Sequence, residues 1–202
     1  MSQLVDPHGE AAARPLRADA RRNREKVLDA ARAAFAEHGR EAQMDDVAHR
    51  AEVGVGTVYR HFPTKEALLV ALSQDTFSRI ADRSRALLER DDAWAAFVEM
   101  MWDAGESLAA DRALTEAMST QLSPQPCPGQ LELSSIASEL MLRAQAEGRM
   151  RRDVIVEDIP MLMCGVGSAT SRAHPCTASW RRHLAIVLDG LRAAAASGEL
   201  ER

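Results

Sequence analysis

The sequence predicts an all-α protein of about nine helices, in which a small N-terminal domain of three helices precedes a larger helical domain. The first observation is compositional: 46% of the 202 residues are hydrophobic, only 4% are aromatic, and strong helix formers are abundant. The second is the spacing of apolar residues, which recur at three- and four-residue intervals in successive segments. The alternation typical of β-strands is missing, so the apolar faces of helices must supply the core.

The first predicted helix follows an irregular lead. Residues 1–16 contain two prolines and a glycine without an apolar period, which predicts a disordered arm. A helix then runs from about residue 17 to residue 38, and Gly39 is placed to end it in a left-handed cap. Its apolar stripe consists of Val27, Leu28, Ala31, Ala34 and Phe35. We expect residues 17–64 to form the N-terminal domain.

Two short helices separated by a turn complete this domain. Apolar residues at helical spacing predict one helix over 44–51, and a three-residue turn follows over 52–54. The next helix is predicted over 55–62, and Pro63 ends it. This arrangement is typical of a helix-turn-helix, whose second helix enters the major groove of DNA.

Successive residues of an α-helix are rotated by about 100°, which gives the second of these helices two chemically different sides. The side predicted to pack on the other two helices carries Val55, Val58 and Phe62. The opposite side carries Gly56, Thr57 and Arg60, with Tyr59 and His61 on the flanks. Arg60 can bond a guanine through two hydrogen bonds, and Thr57 can read a thymine or another base. The flanking phenol and imidazole, together with Lys65, suit phosphate oxygens, and Gly56 permits close approach.

The residues expected at a DNA surface are therefore Gln43, Gly54, Val55, Gly56, Thr57, Tyr59, Arg60, His61 and Lys65. The net charge of −5 does not oppose this, because residues 1–70 hold eleven basic and eleven acidic groups and are neutral. Six basic side chains between residues 14 and 28 form a positive stripe that can follow the phosphate backbone.

The segment Val53–Leu68, with the sequence VGVGTVYRHFPTKEAL, resembles the signature of the TetR/AcrR family. Matching segments lie upstream in register, so the close resemblance covers about residues 20–72. It implies a homodimeric regulator, usually a repressor, which a small-molecule effector releases from a palindromic operator in double-stranded DNA. By position it implies DNA contacts from Gly56, Thr57, Tyr59, His61 and Lys65. Glu52 departs from the usual turn glycine, and Gln43 departs from the usual Ser or Thr.

The C-terminal domain, residues 65–202, is predicted to be helical throughout. Its helices are expected near 65–90, 94–108, 111–122, 131–147, 156–171 and 178–196. The last two have the composition of a dimer seam that could build a four-helix bundle, through Ile159, Leu162, Met163, Val166, Leu184, Val187, Leu188 and Leu191. The alternative is that these stripes pack only inside the monomer.

A cavity in the middle of this domain would suit an apolar or aromatic ligand. Its candidate lining is Trp94, Phe97, Met101, Trp102, Met141 and Met161. The alternative is that these side chains form ordinary core.

Other classes of protein have weaker support. A helical ligand-binding protein without DNA recognition is favoured by Glu52 and by the acidic total. A metal sensor is suggested by His174 and Cys176, but no third ligand has recognisable spacing, so no metal or cofactor is expected. No catalytic motif indicates an enzyme. Three scattered cysteines and the lack of a signal core or long apolar run favour a cytoplasmic protein without a membrane span.

Overall fold

The computed structural model describes residues 8–111, 126–170 and 179–200, and these form eight α-helices. The helices are α1 His8–His38, α2 Met44–Arg50, α3 Val55–His61, α4 Lys65–Ser84, α5 Ala93–Ala110, α6 Pro128–Ala146, α7 Asp158–Thr170 and α8 Trp180–Gly190. Short 3-10 turns occupy Gly39–Glu41, Arg85–Glu89 and Ala193–Ala195. The all-α prediction is confirmed: across the described residues the strand-like pairing is a single antiparallel bridge between Met150 and Arg192. The helix expected near 111–122 falls almost wholly outside the described residues.

The first helix starts earlier than its sequence indicates. A disordered arm was expected up to residue 16, whereas α1 already includes residues 8–16. Three consecutive alanines at 11–13 favour the helix, which continues through Pro15 although the proline ring removes one backbone hydrogen bond. Gly39 ends α1 in the left-handed conformation, with φ of 57°, as its position predicts.

The chain divides into two compact units, residues 1–68 and 69–202, and the division falls within α4. In the N-terminal unit, the predicted stripe of α1 is buried in full. It is joined in the core by Met44, Val47 and Ala48 of α2 and by Val58 of α3. Three amphipathic helices thus share one small core, because none of them buries enough apolar surface alone.

The C-terminal unit is built around α5. This helix is apolar on most sides, and it packs against α6, α7 and α8. Asp92 begins α5 by accepting a hydrogen bond from the Ala95 backbone N–H at 2.8 Å, which satisfies one free donor of its first turn. The central position of α5 explains why Phe97 and Met101 are buried almost completely.

Two glycines allow helices of this unit to approach closely. A Cβ on Gly129 of α6 would lie 2.6 Å from the Ser78 backbone nitrogen of α4. A Cβ on Gly105 of α5 would lie 2.9 Å from the Trp180 ring of α8. The first contact is the more rigid, because a backbone atom cannot move aside as the end of a side chain can.

The segment that follows α8 is fixed by charged groups. The Arg151 guanidinium donates two hydrogen bonds to the Asp153 carboxylate, each at 2.7 Å, and a third to the Gly198 carbonyl at 2.9 Å. Asp153 also accepts from the Leu200 backbone N–H at 2.8 Å. The hydrogen bonds from Arg151 and Leu200 hold the pKa of Asp153 well below its usual range, so this carboxylate stays ionised. Gly198 and Leu200 are thereby held against the loop that precedes α7.

We predict that Gly129→Ala destabilises the protein by about 1–3 kcal/mol, because the added methyl group meets the α4 backbone. Urea unfolding followed by circular dichroism measures the change. Gly190→Ala is the matched control, since a Cβ on that helical glycine meets nothing within 4 Å. Equal unfolding midpoints for the two variants would contradict the tight α4–α6 contact.

Candidate nucleic-acid interface and internal cavity

The turn between α2 and α3 is closed by backbone hydrogen bonds that end α2. The Val53 N–H donates to the Ala48 carbonyl at 3.1 Å, and the Glu52 N–H donates to the His49 carbonyl at 3.2 Å. This pattern places Glu52 in the left-handed region, with φ of 55°. Glycine is favoured there because it has no Cβ, so the departure noted in the sequence falls at the strained residue.

α3 is held through one side and leaves the other open. Val58 is 0% exposed and Phe62 is 3% exposed, whereas Tyr59 is 45% exposed and Arg60 is also exposed. The Arg24 guanidinium of α1 lies 5.3 Å from the centroid of the Phe62 ring, which adds a cation–π contact to the anchored side. The outward side consists of Gly54, Val55, Gly56, Tyr59 and Arg60, and we call it the α3 outer face.

The burial predicted for Val55 is wrong, because this side chain is 41% exposed. Val55 lies in the first turn of α3, about 60° around the helix from Val58, at the border between the anchored side and the outer face. Its exposure is consistent with its place among the residues expected to contact DNA.

Two polar residues of α3 are less exposed than its outer face, and one of them, Thr57, was predicted on the outward side, whereas Tyr59, predicted on a flank, is exposed. Thr57 and His61 are half-buried, and the His61 Nε2 atom is buried without a hydrogen-bond partner among the described residues. The Lys65 ammonium group lies 5.5 Å from the centroid of the Phe35 ring, so its stem follows the apolar core. Gln43 is exposed at the start of α2, and its Nε2 group donates to the Glu41 carbonyl at 2.9 Å. Their contacts with DNA stay predictions.

α1 and α2 are connected by an ion pair at the rim of this unit. Arg50 of α2 donates a hydrogen bond to the Glu37 carboxylate of α1. This hydrogen bond and the positive charge of Arg50 lower the pKa of Glu37. The exposed basic residues Arg21 and Arg22 of α1 pair with Glu25 and Asp19 within the helix, so part of the positive stripe is neutralised locally.

A cavity of about 280 Å³ lies in the C-terminal unit, between α4, α5, α6 and α7. Its wall includes Phe77 and Ile80 of α4, Met100, Met101 and Leu108 of α5, and Ile159 and Met163 of α7. Of the six residues proposed for a cavity from the sequence, Met101 lies in this wall. The sequence did not predict the other lining residues, because the position of a cavity depends on how four helices pack together. Phe77 and Ile80 do have the spacing of buried residues.

The remaining five candidates for the cavity lie elsewhere. Trp94, Phe97 and Met141 are at most 3% exposed and belong to the packed core. The Trp102 ring packs on the Trp180 ring, with centroids 6.0 Å apart. Met161 is 79% exposed, because it lies two residues, or about 200°, from the buried Ile159 on α7.

The predicted dimer seam also needs correction. Six of its eight residues lie in the core of the protomer: Ile159, Met163, Val166, Leu184, Leu188 and Leu191. Leu162 and Val187 are half-buried. The periodic stripes of α7 and α8 therefore face α5 and each other, and the outward sides of these helices present Met161 and the 61% exposed Ile186.

Neither a membrane span nor a metal site occurs in the described parts of the chain. No helix there has the length and hydropathy needed to cross a lipid bilayer. No group of three His, Cys, Asp or Glu side chains within those ranges is arranged to hold a metal ion, and His174 and Cys176 lie outside them.

Comparison with known proteins gives two family matches that together span both units. Residues 27–72 match the bacterial regulatory proteins of the tetR family, and residues 89–193 match the C-terminal domain of SbtR-like transcriptional regulators. The chain belongs to the TetR family. A relative, the HTH-type transcriptional repressor KstR of Mycolicibacterium smegmatis, is 33% identical over 138 residues, which are 66% of this chain and 68% of the relative.

Solved structures of the TetR family agree with the observed fold. A TetR transcription regulatory protein from Mycobacterium vanbaalenii is 38% identical with a TM-score of 0.60, over 88% of this chain and 99% of that one. The TetR regulator SCO0520 from Streptomyces coelicolor is 29% identical with a TM-score of 0.58, over 84% and 98%. The protein is therefore a DNA-binding transcriptional regulator with an N-terminal helix-turn-helix, and the KstR relatives that it matches are repressors.

We predict that Glu52→Gly stabilises the protein by about 0.5–1 kcal/mol, because glycine adopts the left-handed conformation without a steric penalty. Thermal unfolding measures the effect. Glu52→Ala is the matched control, since it removes the carboxylate but keeps the strained Cβ. If Glu52→Ala raises the stability as much as Glu52→Gly does, backbone strain at this turn is not the cause of the stabilisation.

Proposed function

We propose that the protein represses transcription as a homodimer bound to a palindromic operator, and that a small apolar ligand releases it. The observation that carries the proposal is the α3 outer face, which is exposed above a fully buried Val58. A helix that is anchored through one side and exposes a guanidinium and a phenol on the other can enter a major groove. A regulator of this kind acts where the chromosome is, so we place it in the cytoplasm.

Each side chain of the α3 outer face has a role that follows from its chemistry. The Arg60 guanidinium suits the two acceptors of a guanine edge. The Tyr59 hydroxyl suits a phosphate, and it fixes the register of the helix on the duplex. A Cβ added to Gly56 would meet no atom within 4 Å, so the missing side chain serves an external contact rather than internal packing. Thr57, half-buried beside it, adds a hydroxyl and a methyl group at the base edges.

The dimer in this proposal uses the outward sides of α7 and α8. Their inner stripes are already committed to the protomer core, so Met161 and Ile186 are the large apolar groups left for a second copy. Leu162 and Val187 border a surface groove beside them that also includes Leu200. Two helices from each copy would then form a four-helix interface that relates the two α3 helices by symmetry.

Release requires a ligand that binds the form without DNA more tightly than the DNA-bound form. The cavity of the C-terminal unit is the candidate site, because its wall contains residues of α4, and α4 starts three residues after Phe62 of the α3 anchor. A ligand that changes the position of α4 is therefore our proposed cause of release.

We predict that in-vitro selection from random duplexes enriches a palindromic site, and that Arg60→Ala loses preference at one position in each half-site. The expected loss of discrimination is roughly 1–3 kcal/mol, because one bidentate guanine contact disappears. Arg60→Lys is the control, since it keeps the positive charge without the planar pair of donors. It should retain affinity for duplexes in general while it loses the same preference. An unchanged selected sequence for Arg60→Ala would reject the assigned role.

We predict that Ile186→Asp converts the dimer to monomers, because an unpaired carboxylate cannot be buried at the interface without a large desolvation cost. Sedimentation velocity measures the assembly state. Leu142→Asp is matched for exposure, at 65% against 61%, and lies on α6 away from the proposed interface. This control should stay dimeric. An Ile186→Asp protein that remains dimeric would exclude this side of α8 from the interface.

A further inference from the structure

The cavity between α4 and α7 has a polar group at one place in an otherwise apolar wall. Mainly hydrocarbon side chains from four helices line about 280 Å³, a volume suited to a compact ligand of roughly ten to fifteen non-hydrogen atoms, and Leu131 and Ser134 in this lining are exposed. The exceptions among the described lining residues are Gln130 and Ser134, four residues apart on α6. Residues at this spacing lie on the same face of a helix, so both polar groups are on one side of the cavity.

The first restriction on the ligand concerns its charge, because the described wall is uncharged. The described lining contains no Lys, Arg, His, Asp or Glu side chain. A carboxylate or ammonium group placed there would lose its hydration and gain no counter-charge, which costs several kcal/mol. The described wall therefore favours an uncharged group at this place.

The second restriction concerns the polar group of the ligand, and it follows from the orientation of the Gln130 amide. The Cys127 backbone N–H donates a hydrogen bond of 2.8 Å to Gln130 Oε1, in the reciprocal pairing that starts α6. Because a backbone N–H needs an acceptor, this contact identifies the oxygen of the amide and assigns the NH₂ group to the other side. The helix start thus occupies one of the two lone pairs of Gln130 Oε1, whereas neither proton of the NH₂ group takes part in this pairing.

We propose that the cavity selects an uncharged, compact carbonyl compound, whose oxygen accepts a hydrogen bond from Gln130 Nε2 while hydrocarbon fills the rest. The inference rests on the proposed function, because it names the ligand class for the same effector site. Ser134 lies beside Gln130 and offers a hydroxyl that can donate to the same oxygen. Phe77, Ile80 and Met101 supply apolar contacts opposite a ring or branched alkyl group.

Three probes of matched shape test the ligand class by isothermal titration calorimetry on the full chain. They are cyclohexyl phenyl ketone, benzylcyclohexane as its hydrocarbon counterpart, and cyclohexylphenylacetate as its anionic counterpart. We expect the ketone to bind roughly three- to tenfold more tightly than the hydrocarbon, as one net hydrogen bond provides. The anion should bind at least about a hundredfold more weakly than the ketone. Equal binding of the ketone and the anion would overturn the proposal, as would the failure of all three to bind.

Gln130→Glu tests the donor without removing the start of α6. A glutamate at this position still accepts from the Cys127 N–H, but its carboxylate offers no donor to the ligand. The preference for ketone over hydrocarbon should vanish or reverse in this variant. Gln74→Glu makes the same chemical change at an exposed position of α4 and should keep the preference. A preference that survives in Gln130→Glu would overturn the role of Gln130.

Release from the selected operator, measured with the same probes, separates this inference from the proposed function. If the ketone binds in the expected pattern but leaves the operator complex intact, the cavity chemistry stands and ligand release through this site fails. If the anion releases the operator and the ketone does not, ligand release stands and the ligand class proposed here fails.

Discussion

The burial of Val58 and Phe62 is the constraint on which the DNA-binding function depends. α3 has seven residues, and a helix of that length is not stable in water without tertiary contacts. Its existence and its orientation are therefore decided together, by the side chains that enter the core formed with α1 and α2. Once Val58 is buried, the angular spacing of a helix leaves Gly56, Tyr59 and Arg60 exposed to solvent. The strained turn at Glu52 connects α2 to α3 in this orientation.

The same principle produces the opposite result in α7 and α8, where α7 is apolar on its outward side too and α8 exposes Ile186 among the charged Arg181, Arg182 and Asp189. The periodic stripe of Ile159, Met163 and Val166 is strong in the sequence, and it faces the core of the protomer rather than a partner. Periodicity identifies the buried side of a helix but not the surface that buries it. The sequence therefore could not distinguish burial inside the protomer from burial in a dimer interface. The residues between the stripe, such as Met161 and Ile186, became recognisable only after the inner side was known to be occupied.

Much of the fold was predictable because its signals are local. The bounds of α2 and α3, the left-handed Gly39 and the start of α4 at Thr64, whose hydroxyl accepts from the Ala67 N–H at 3.1 Å, follow from neighbouring residues alone. The sequence predicted a cavity in the C-terminal domain but not its lining, apart from Met101, because large apolar residues more often fill space than border it. Its volume arises where small residues and proline, such as Ala104, Ala137 and Pro160, line the meeting point of four helices.

The position of α4 explains how a small ligand could have a large effect. Phe77 and Ile80 line the cavity, while Ser78 between them lies against the backbone of Gly129, with no side chain to separate α4 from the start of α6. Gln130, which would recognise a ligand, directly follows Gly129, which makes the close contact with α4. A ligand can shift α4 only by as much as its binding free energy differs between two positions of the helix. Because the backbones of α4 and α6 are in close contact at Ser78 and Gly129, a shift of α4 at this point would also change the wall that the ligand contacts.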